Sequence, residues 1–527
     1  MNNFDRREFL RLSAIAAAGT LAAGSSDGAQ RLDLSEKTVA ELQAAMEKGQ
    51  LTSEAMTNWY LARIRAVDPK INSVIEVNPD AVAIARQRDR ERRSKNVKGP
   101  LHGIPVLIKD NIDTADKMKT TAGSLALVDA PTPARDAFIV ERLREAGAVL
   151  LGKTNLSEWA NFRDSNSISG WSGRGGQTRN PYILDRNPCG SSSGTGAAIA
   201  ANLAAIGIGT ETDGSIVCPS SICGIVGLKP TIGVVSRSGI IPIAASQDTA
   251  GPMVRTVADA AVMMDVLDAA DANDPATTAG GKRRERSSYT TALVLGGLRG
   301  ARIGVARDYW GKNGNVDAVL NSALEMMRKA GAILVDVKFP NMEKFGDAEF
   351  LVLQYEFKDG LEKYLASRGS RYRTLNDLIK FNNENAAREM PYFKQAIFEM
   401  CAKKGPLTEK EYREALATSR KYTREEGIDE VMDKNKLEAI VGPSNAPTWM
   451  IDTVNGDCGS AYIGSSSLAA AAGYPNITVP AGFTRELPIG ISFFGRAFSE
   501  HTLIKFAYSF EQATRARRVP KFLVTAR

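Results

Sequence analysis

The chain has 527 residues, of which 43% are hydrophobic, 24% charged and 7% aromatic, a composition typical of a globular protein and not of a disordered or fibrous one. Its 67 Lys and Arg residues against 60 Asp and Glu residues give a formal charge of +7, with one dense basic cluster at residues 282–286. This distribution argues against nucleic acid as a partner, because a protein that binds nucleic acid concentrates positive charge on one face or element.

The histidine and cysteine contents limit the metal and redox chemistry. Only His102 and His501 are present and neither HExxH nor CxxC occurs, so a histidine-rich metal site is excluded. The five cysteines are odd in number and widely spaced, unlike those of a small disulfide-bonded secreted domain. We therefore expect most of them to be buried small apolar residues.

The first 29 residues resemble a twin-arginine export signal. Arg6 and Arg7 precede an apolar, alanine-rich stretch from residue 12 to residue 23, and small residues follow as far as Ala29. This stretch is shorter than the roughly 20 residues of a membrane-spanning helix, which disfavours a permanent anchor. We expect a periplasmic or secreted protein with one domain over residues 30–527; the alternative is a cytosolic protein with a frayed basic helix.

Segments with helical spacing of apolar residues alternate with short β-branched runs. Residues 138–147 predict a helix with a glycine cap, and residues 148–151 predict a strand directly after it. The same succession recurs over residues 324–335. Further strands are predicted at residues 439–443 and 477–480, and a closing helix over residues 502–513. The alternation predicts an α/β fold in which a mixed sheet is sandwiched between helices.

Two stretches break this alternation. Residues 271–289 are polar and rich in Gly, Lys and Arg, which predicts a surface loop. Residues 358–436 are charged and have helical spacing with few strand signals. This second stretch predicts a helical insertion that covers one edge of the sheet.

Two short motifs match well-known sites but lie in the wrong context. Residues 147–154 have P-loop spacing, which requires a strand before the loop and a helix after it, whereas here a helix precedes a predicted buried strand. Residues 190–194 have the GxSxG spacing of a nucleophile elbow centred on Ser192. The only downstream histidine, His501, begins a predicted helix, where we expect a capping or exposed role.

A Gly/Ser-rich stretch and an upstream lysine carry the stronger chemical signal. Glycine amides between residues 189 and 230 can approach a ligand closely, and the serines among them supply hydroxyl nucleophiles. Lys109 ends a predicted apolar strand, where burial can lower its pKa from about 10.4 towards 7 and make it a general base. Two alternatives stay open. The first is that the Gly/Ser-rich stretch forms tight turns without a catalytic role. The second is that Lys109 extends its amine to solvent, or pairs with Asp110, and is not a base.

Six segments in order resemble the amidase signature family of serine hydrolases. They are LHGIPVLIKDNIDT with TTAGS (101–124), GAVLLGKTNLSEW (147–159), the Gly/Ser stretch through GLKPT (189–231), SQDTAGPMVRTVADA (246–260), GYPNITVPAG (473–482) and LPIGISFFG (487–495). They cover most of the chain after the export signal. The resemblance implies the amidase signature fold and the hydrolysis of carboxamide C–N bonds without a metal or cofactor.

The resemblance also implies which residues act. It places the family's Ser–cis-Ser–Lys triad on Ser215, Ser191 and Lys109, with a cis peptide bond at Ser191. The implied oxyanion hole consists of the backbone amides of Thr212, Asp213, Gly214 and Ser215. Neutral Lys109 would take a proton from Ser191, and Ser191 would take one from Ser215 as it attacks the amide. Water would then hydrolyse the acyl-enzyme.

Departures from the family pattern bear on the substrate. Asp213 stands where the family commonly has a glycine, and Val217 where an arginine is often found. The sequence GTETDGSIVCP, residues 209–219, resembles the peptide-amidase branch, whose members remove the C-terminal amide from peptides. We therefore expect a small-molecule or peptide amide as substrate. Residues 159–171 and the insertion at 358–436 are expected to shape its pocket.

Three alternatives remain beside a peptide amidase. The first is an amidase for aliphatic or aryl amides. The second is the glutaminase subunit of a tRNA transamidase, which the export signal and the absence of a basic face disfavour. The third is a catalytically silent binding protein on the same scaffold, which the intact Lys109, Ser191 and Ser215 disfavour.

Overall fold

Residues 33–278, 287–459 and 463–526 are described by the structure, a computed structural model. The chain divides into two units, Met1–Leu34 and Ser35–Arg527, and the second contains every helix and strand given below. The predicted export signal at residues 1–29 lies outside the described residues, and so do residues 279–286 of the predicted surface loop.

The strands are short and most of them are buried. In chain order they are β1 (Val74–Val77), β2 (Pro105–Lys109), β3 (Val149–Thr154), β4 (Trp171–Ser172), β5 (Gly176–Gln177), β6 (Ile206–Glu211), β7 (Val226–Lys229), β8 (Thr249–Val254), β9 (Arg302–Ala306), β10 (Ile333–Val337), β11 (Ala439–Pro443), β12 (Asn476–Thr484) and β13 (Leu487–Phe494). Within the described ranges, eleven of them form one sheet in the order β1-β3-β2-β6-β8-β7-β12-β13-β11-β9-β10, and β4 pairs with β5. Parallel and antiparallel pairs both occur, so the predicted mixed sheet is confirmed.

Helices flank this sheet, and several begin at a threonine or asparagine whose side chain caps the first turn, as at Thr38, Thr256 and Asn313. They are α1 (Val39–Glu47), α2 (Ser53–Ile71), α3 (Ala81–Arg93), α4 (Phe138–Glu145), α5 (Ser193–Ala200), α6 (Val217–Ile222), α7 (Val257–Leu267), α8 (Gly314–Lys329), α9 (Gly346–Arg368), α10 (Leu375–Glu384), α11 (Ala386–Glu389), α12 (Ala396–Ala402), α13 (Lys410–Arg420), α14 (Glu430–Asn435), α15 (Ser466–Ala472) and α16 (Glu500–Thr514). A π-helical segment, Lys421–Asp429, joins α13 to α14. No helix among the described residues is both long and apolar enough to cross a membrane.

The register of the sheet brings the ends of β2 and β6 together. The two strands are parallel neighbours, with Val106 opposite Ile206 and Ile108 opposite Ile208, so their carboxyl ends lie at the same edge. Gly209 in β6 allows the segment before α5 to approach closely, because a Cβ atom there would lie 2.7 Å from Ser192 Oγ. The end of β2, the end of β6 and the start of α5 therefore meet at one place.

Most of the elements predicted from local pattern are confirmed. Helix α4 and strand β3 follow each other as expected, so the P-loop pattern at residues 147–154 stands in the reverse order to a nucleotide site. The predicted strands near residues 333, 439 and 477 and the closing helix are β10, β11, β12 and α16. These segments have clear local patterns, which is why the sequence predicts their type.

The insertion is helical, but its apolar side chains do more than cover a sheet edge. Side chains of α9, α10 and α12 form one buried cluster with residues 122–130, Trp159, Phe162 and residues 241–244. Residues 122–130 follow β2, and Trp159 and Phe162 follow β3. The insertion therefore packs behind the loops at the carboxyl ends of these strands.

The predicted surface loop at residues 271–289 is anchored at its start. Asp271 and Asp274 are buried, although they belong to a polar stretch. Asp271 accepts a hydrogen bond of 2.6 Å from Ser236 Oγ, and Asp274 forms an ion pair with Arg237. These two carboxylates are therefore buried within the predicted surface loop, whose residues 272, 273 and 275 are exposed, and Ser236 and Arg237 compensate their desolvation.

Candidate active site

Lys109 is completely buried at the end of β2 and makes three polar contacts. Its Nζ lies 2.8 Å from Ser191 Oγ, 2.9 Å from Thr210 Oγ1 and 3.3 Å from the Thr210 carbonyl oxygen. Asn111 Nδ2 donates a hydrogen bond of 3.0 Å to the same Thr210 hydroxyl. The end of β6 thus holds the amine of Lys109 against the hydroxyl of Ser191.

Burial lowers the pKa of Lys109 from 10.5 to about 7, although the negative charges of Asp248 and Glu211 act in the opposite direction. Near neutral pH a substantial fraction of this amine is therefore unprotonated. Asp110 does not pair with Lys109, because its carboxylate contacts Thr121 and Arg174. The alternatives of a snorkelling lysine and of a Lys109–Asp110 pair are both wrong.

The three consecutive serines before α5 have different partners. The peptide bond between Gly190 and Ser191 is cis, as the family resemblance predicts. Ser192 Oγ donates to the Thr210 carbonyl at 3.0 Å, and Ser193 Oγ donates to the Cys189 carbonyl at 2.6 Å. Of the three hydroxyls, only that of Ser191 contacts Lys109.

The GxSxG motif does not assemble a Ser–His pair. Ser192 is fully buried and bonded to the backbone of Thr210, whereas the ring of His501 is exposed and lies 2.9 Å from Thr291 Oγ1. His501 is the second residue of α16. Its expected exposed position is confirmed.

Ser215 lies in the turn between β6 and α6. Glu211 fixes this turn, because its carboxylate accepts hydrogen bonds of 2.7 and 3.0 Å from the amides of Ile216 and Val217. Gly214 has a φ of +75°, which favours glycine directly before Ser215. The backbone amide of Ser192 donates to the Ser215 carbonyl at 3.2 Å, but no hydrogen bond joins the Ser191 and Ser215 hydroxyls.

The same turn lines a cavity of about 340 Å³, to which Gly190, Thr212, Asp213, Gly214 and Ser215 contribute. Among the residues that the structure describes, none accepts a hydrogen bond from the N–H groups of Asp213, Gly214 or Ser215. The Asp213 carboxylate instead accepts one of 2.7 Å from Ser466 Oγ. This turn can therefore present N–H donors to an oxygen atom in the cavity.

The rest of the cavity wall is mainly apolar and comes from distant parts of the chain. Phe162, Ile243, Leu353 and Trp449 contribute its large apolar side chains. Asp457 lies among them, and its carboxylate accepts hydrogen bonds from the Ser169 amide, Asn187 Nδ2 and Trp449 Nε1 at 3.0 to 3.2 Å. The cavity is therefore suited to an organic group with a few polar atoms.

The pocket residues expected from the sequence are partly found. Ala160, Asn161, Phe162 and Ser169 line the cavity, all within residues 159–171, whereas Trp159 and Trp171 pack elsewhere. No described residue of the insertion at 358–436 lines it, and α9 contributes Leu353 from just before that stretch. The segment at residues 449–459 was missed, because nothing local separates its apolar side chains from core residues.

A disulfide between Cys189 and Cys218 also lines this cavity. The expectation that most cysteines are buried is confirmed for Cys189, Cys218, Cys223 and Cys401, but the bond between the first two was not expected. The two partners lie 29 residues apart in sequence, and only the return of the chain through α5 and β6 brings them together. Local spacing therefore carried no signal for the bond.

The site thus combines a buried amine, two serine hydroxyls and a turn that lines a cavity. Among the described residues, no group of three or more His, Cys, Asp or Glu side chains is arranged so that it could hold a metal ion. A base, a hydroxyl nucleophile and N–H donors are the groups that acyl transfer requires.

Comparison with known proteins agrees with this geometry. The model of the amidase family matches residues 55–504. A crystal structure of the peptide amidase PAM with the competitive inhibitor chymostatin is 50% identical, with a TM-score of 0.90 over 93% of this chain and 99% of that one. A probable amidase of Arabidopsis thaliana is 41% identical over 93% of this chain and 92% of its own length. A glutamyl-tRNA(Gln) amidotransferase subunit from Thermoanaerobacter pseudethanolicus is 32% identical over 94% of this chain and all of its own.

These matches cover nearly the whole described chain, and the TM-score confirms the expected amidase signature fold. The identities lie well above the level at which only the fold is shared. The chain belongs to the amidase family and is a hydrolase that acts on amide C–N bonds.

Proposed function

We propose that the protein hydrolyses the C-terminal carboxamide of peptides to the free acid and ammonia through an acyl-enzyme on Ser215. The observation that carries the mechanism is the 2.8 Å contact between the buried amine of Lys109 and the hydroxyl of Ser191. The likeness to the peptide amidase PAM, at 50% identity, supports the substrate class.

Lys109 acts as the base in this mechanism, and Thr210 orients it. A neutral amine has two N–H donors and one lone pair. The hydroxyl and the carbonyl of Thr210 accept the two N–H groups, at 2.9 and 3.3 Å, which leaves the lone pair for the proton of Ser191. Ser191 Oγ can then accept the proton of Ser215 as Ser215 attacks the amide carbon.

The turn before α6 stabilises the negative charge that this attack creates. Asp213, Gly214 and Ser215 line the cavity, and their N–H groups have no acceptor among the described residues. They bind the oxyanion of the tetrahedral intermediate, together with Thr212 as the fourth amide of this turn. Ser191 then donates its proton to the departing ammonia, and water attacks the ester at Ser215 in the second step.

The shape of the cavity fits a peptide whose last residue carries an apolar side chain. Phe162, Leu353 and Trp449 surround the space next to Ser215 and can bury such a side chain. A carboxamide leaving group is small, so most of the roughly 340 Å³ is available to the acyl portion. This volume lies at the lower end of the range for sites of small ligands.

Release of ammonia from a panel of amides tests the proposal. The panel contains a C-terminally amidated peptide, an aliphatic amide, an aryl amide and glutamine, and Ser215→Ala is the control. We expect release from the peptide amide that disappears in Ser215→Ala. Release only from another member would keep the mechanism and exclude the peptide substrate, and activity in Ser215→Ala would exclude Ser215 as nucleophile.

The glutamine arm tests the second candidate, a glutaminase subunit, which the 32% identity to the glutamyl-tRNA(Gln) amidotransferase protein favours. A fluorophosphonate that reacts with Ser215 tests the binding-protein alternative, because a silent scaffold does not activate its serine. Labelling of the wild type but not of Ser215→Ala is expected.

Export by the twin-arginine route also remains our proposal, based on Arg6 and Arg7. Cell fractionation of a variant with both residues changed to lysine is expected to find the protein in the cytoplasm. Arg11→Lys makes the same change in the same segment outside the pair and is expected to leave export intact. Export of the double variant would contradict the proposal.

A further inference from the structure

The Cys189–Cys218 disulfide connects the two segments that carry the serines. Cys189 is two residues before Ser191, and Cys218 is three residues after Ser215. The Cα atoms of the two cysteines are 6.1 Å apart, and both residues line the same cavity as Ser215. A covalent bond therefore forms part of the cavity wall that Ser215 also lines.

The other connections between these two segments are hydrogen bonds of Ser192, whose Oγ contacts the carbonyl and the amide of Thr210 at 3.0 and 3.2 Å. The backbone amide of Ser192 donates to the Ser215 carbonyl at 3.2 Å. In the segment of Ser191, the Cys189 amide donates a hydrogen bond to Asn187 Oδ1, and the Cys189 carbonyl accepts one from Ser193 Oγ. Both contacts lie within that segment. On the side of Ser215, Glu211 likewise binds only its own turn. The disulfide is thus the covalent bond that joins the segment of Ser191 to the segment of Ser215.

The disulfide is also fixed by its surroundings. Cys189 and Cys218 form a buried apolar cluster with Ile222 and Trp449. Ile222 is the last residue of α6, and Trp449 lines the cavity. Because these neighbours pack against the disulfide, a displacement of one serine segment also displaces the other.

We propose that the Cys189–Cys218 disulfide is a positioning element that holds the hydroxyls of Ser191 and Ser215 in register for proton transfer. The inference rests on the proposed acyl-enzyme mechanism and adds two residues to it. Proton transfer requires the two oxygen atoms to come within hydrogen-bonding distance, and a misplacement of about 1 Å can cost on the order of a hundredfold in rate.

The test compares a double variant, Cys189→Ala with Cys218→Ala, with the wild type at a temperature at which both are folded by circular dichroism. Cys223→Ala is the matched control, since it removes a buried cysteine one residue after α6 that forms no disulfide. The readouts are kcat, KM, the pH midpoint of activity and the rate of fluorophosphonate labelling at Ser215.

The double variant is expected to lose about tenfold to a hundredfold in kcat and in labelling rate, with KM changed by less than about twofold. The pH midpoint stays where it is in the wild type, because the surroundings of Lys109 are unchanged. Its unfolding temperature also falls, since the disulfide closes a 29-residue loop, but a purely structural bond would not lower kcat in the folded state. An unchanged kcat, or an equal loss in Cys223→Ala, would overturn the proposal.

Reduction of the wild-type protein tests the same bond without a mutation. A small dithiol donates two electrons and two protons to the disulfide, which becomes two thiols while the dithiol becomes a cyclic disulfide. We expect kcat to fall as in the double variant and to recover when the dithiol is removed and the bond reoxidised. A reduced protein that stays folded and keeps the kcat of the oxidised protein would overturn the proposal.

The two proposals fail in different ways. The oxidised wild type alone decides whether peptide amides are hydrolysed through Ser215. The ratio of the wild type to the disulfide-free protein decides the positioning role, and labelling supplies this ratio even if the substrate is another amide. Absence of labelling in the wild type would remove both.

Discussion

Lys109 makes the activity depend on pH in a defined direction. Its pKa in the folded protein is about 7, lowered by burial, and only the neutral amine can accept the proton of Ser191. Below pH 7 the amine is protonated, so kcat/KM is expected to fall about tenfold per pH unit, and above pH 8 to reach a plateau. The measurement is a pH profile of ammonia release between pH 5 and 9.

Lys109→Arg is the matched control for this profile, because arginine stays protonated over the whole range. We expect its activity to fall by at least about a hundredfold at every pH, as for loss of a general base. A variant that kept the wild-type midpoint and rate would exclude Lys109 as the titrating base.

Thr210 offers a test of how Lys109 is oriented. Thr210→Val removes the hydroxyl at 2.9 Å and keeps the carbonyl at 3.3 Å. We expect kcat to fall about tenfold to a hundredfold, the equivalent of about 1.4–3 kcal/mol for one hydrogen bond to a chargeable group. The midpoint moves below that of the wild type, because the lost acceptor had stabilised the protonated amine.

Thr210→Ser restores a hydroxyl at the same place and is expected to recover most of the rate. This pair of variants separates orientation from packing, since valine fills the volume of threonine and serine does not. Recovery in the valine variant and loss in the serine variant would contradict the assigned role.

At the level of elements, the buried Arg163 connects the loop between β3 and β4 with the helical insertion at residues 358–436. Its guanidinium forms an ion pair with Glu158 and donates to the carbonyl oxygens of Glu389, Phe393 and Lys394. It also lies 4.2 Å from the centre of the Phe393 ring. One side chain therefore connects the segment after β3 with the segment from α11 to α12.

Arg163→Met is expected to reduce the free energy of unfolding by about 3–5 kcal/mol, because it leaves a buried acid and several carbonyl groups without their partner. Chemical denaturation followed by circular dichroism measures the change. Arg388→Met is a suitable control, since Arg388 lies on the exposed side of the same segment. If the two variants were equally stable, the contacts of Arg163 would contribute nothing to the free energy of unfolding.

Leu353 of helix α9 is expected to influence which amides the cavity accepts. This residue lines the cavity from one side, and Phe357, one turn later, packs against Phe162 with 5.1 Å between ring centres. Leu353→Trp adds bulk to the wall and is expected to lower kcat/KM about tenfold or more for a peptide amide with a large C-terminal residue. A small aliphatic amide or an amidated glycine peptide should be affected less.

Kinetics on both substrates give the required comparison, and Leu353→Met, which nearly conserves volume, is the control. If the two substrates lost the same factor, Leu353 would affect the chemistry or the fold and not the space for the acyl group.

The elements differ in how far the sequence predicts them. Lys109 and the turn at Ser191 lie in dense local motifs, so the local pattern and the family resemblance are sufficient to predict both as site residues. Leu353, Trp449 and the Cys189–Cys218 bond could not be found in this way. They reach the cavity through packing between distant segments, and an apolar residue in a pocket wall has the same local pattern as one in the core.

On the scale of the whole molecule, the cavity lies where residues from five separate stretches meet, around positions 160–169, 189–218, 243, 353 and 449–459. A ligand that fills it contacts all five stretches, so its binding is linked to the stability of the folded unit Ser35–Arg527. The peptide amidase PAM binds the competitive inhibitor chymostatin, and the function proposed above predicts that this protein binds it as well.

At a concentration one hundred times its Kd, a ligand that binds only the folded state stabilises it by about 2.7 kcal/mol, and we expect chymostatin to raise the unfolding temperature by several degrees. Thermal unfolding over a range of chymostatin concentrations measures the shift. Leu353→Trp should require more chymostatin for the same shift, because its cavity is smaller, whereas Arg388→Met should match the wild type. An equal shift in the wild type and Leu353→Trp would place the inhibitor outside this cavity.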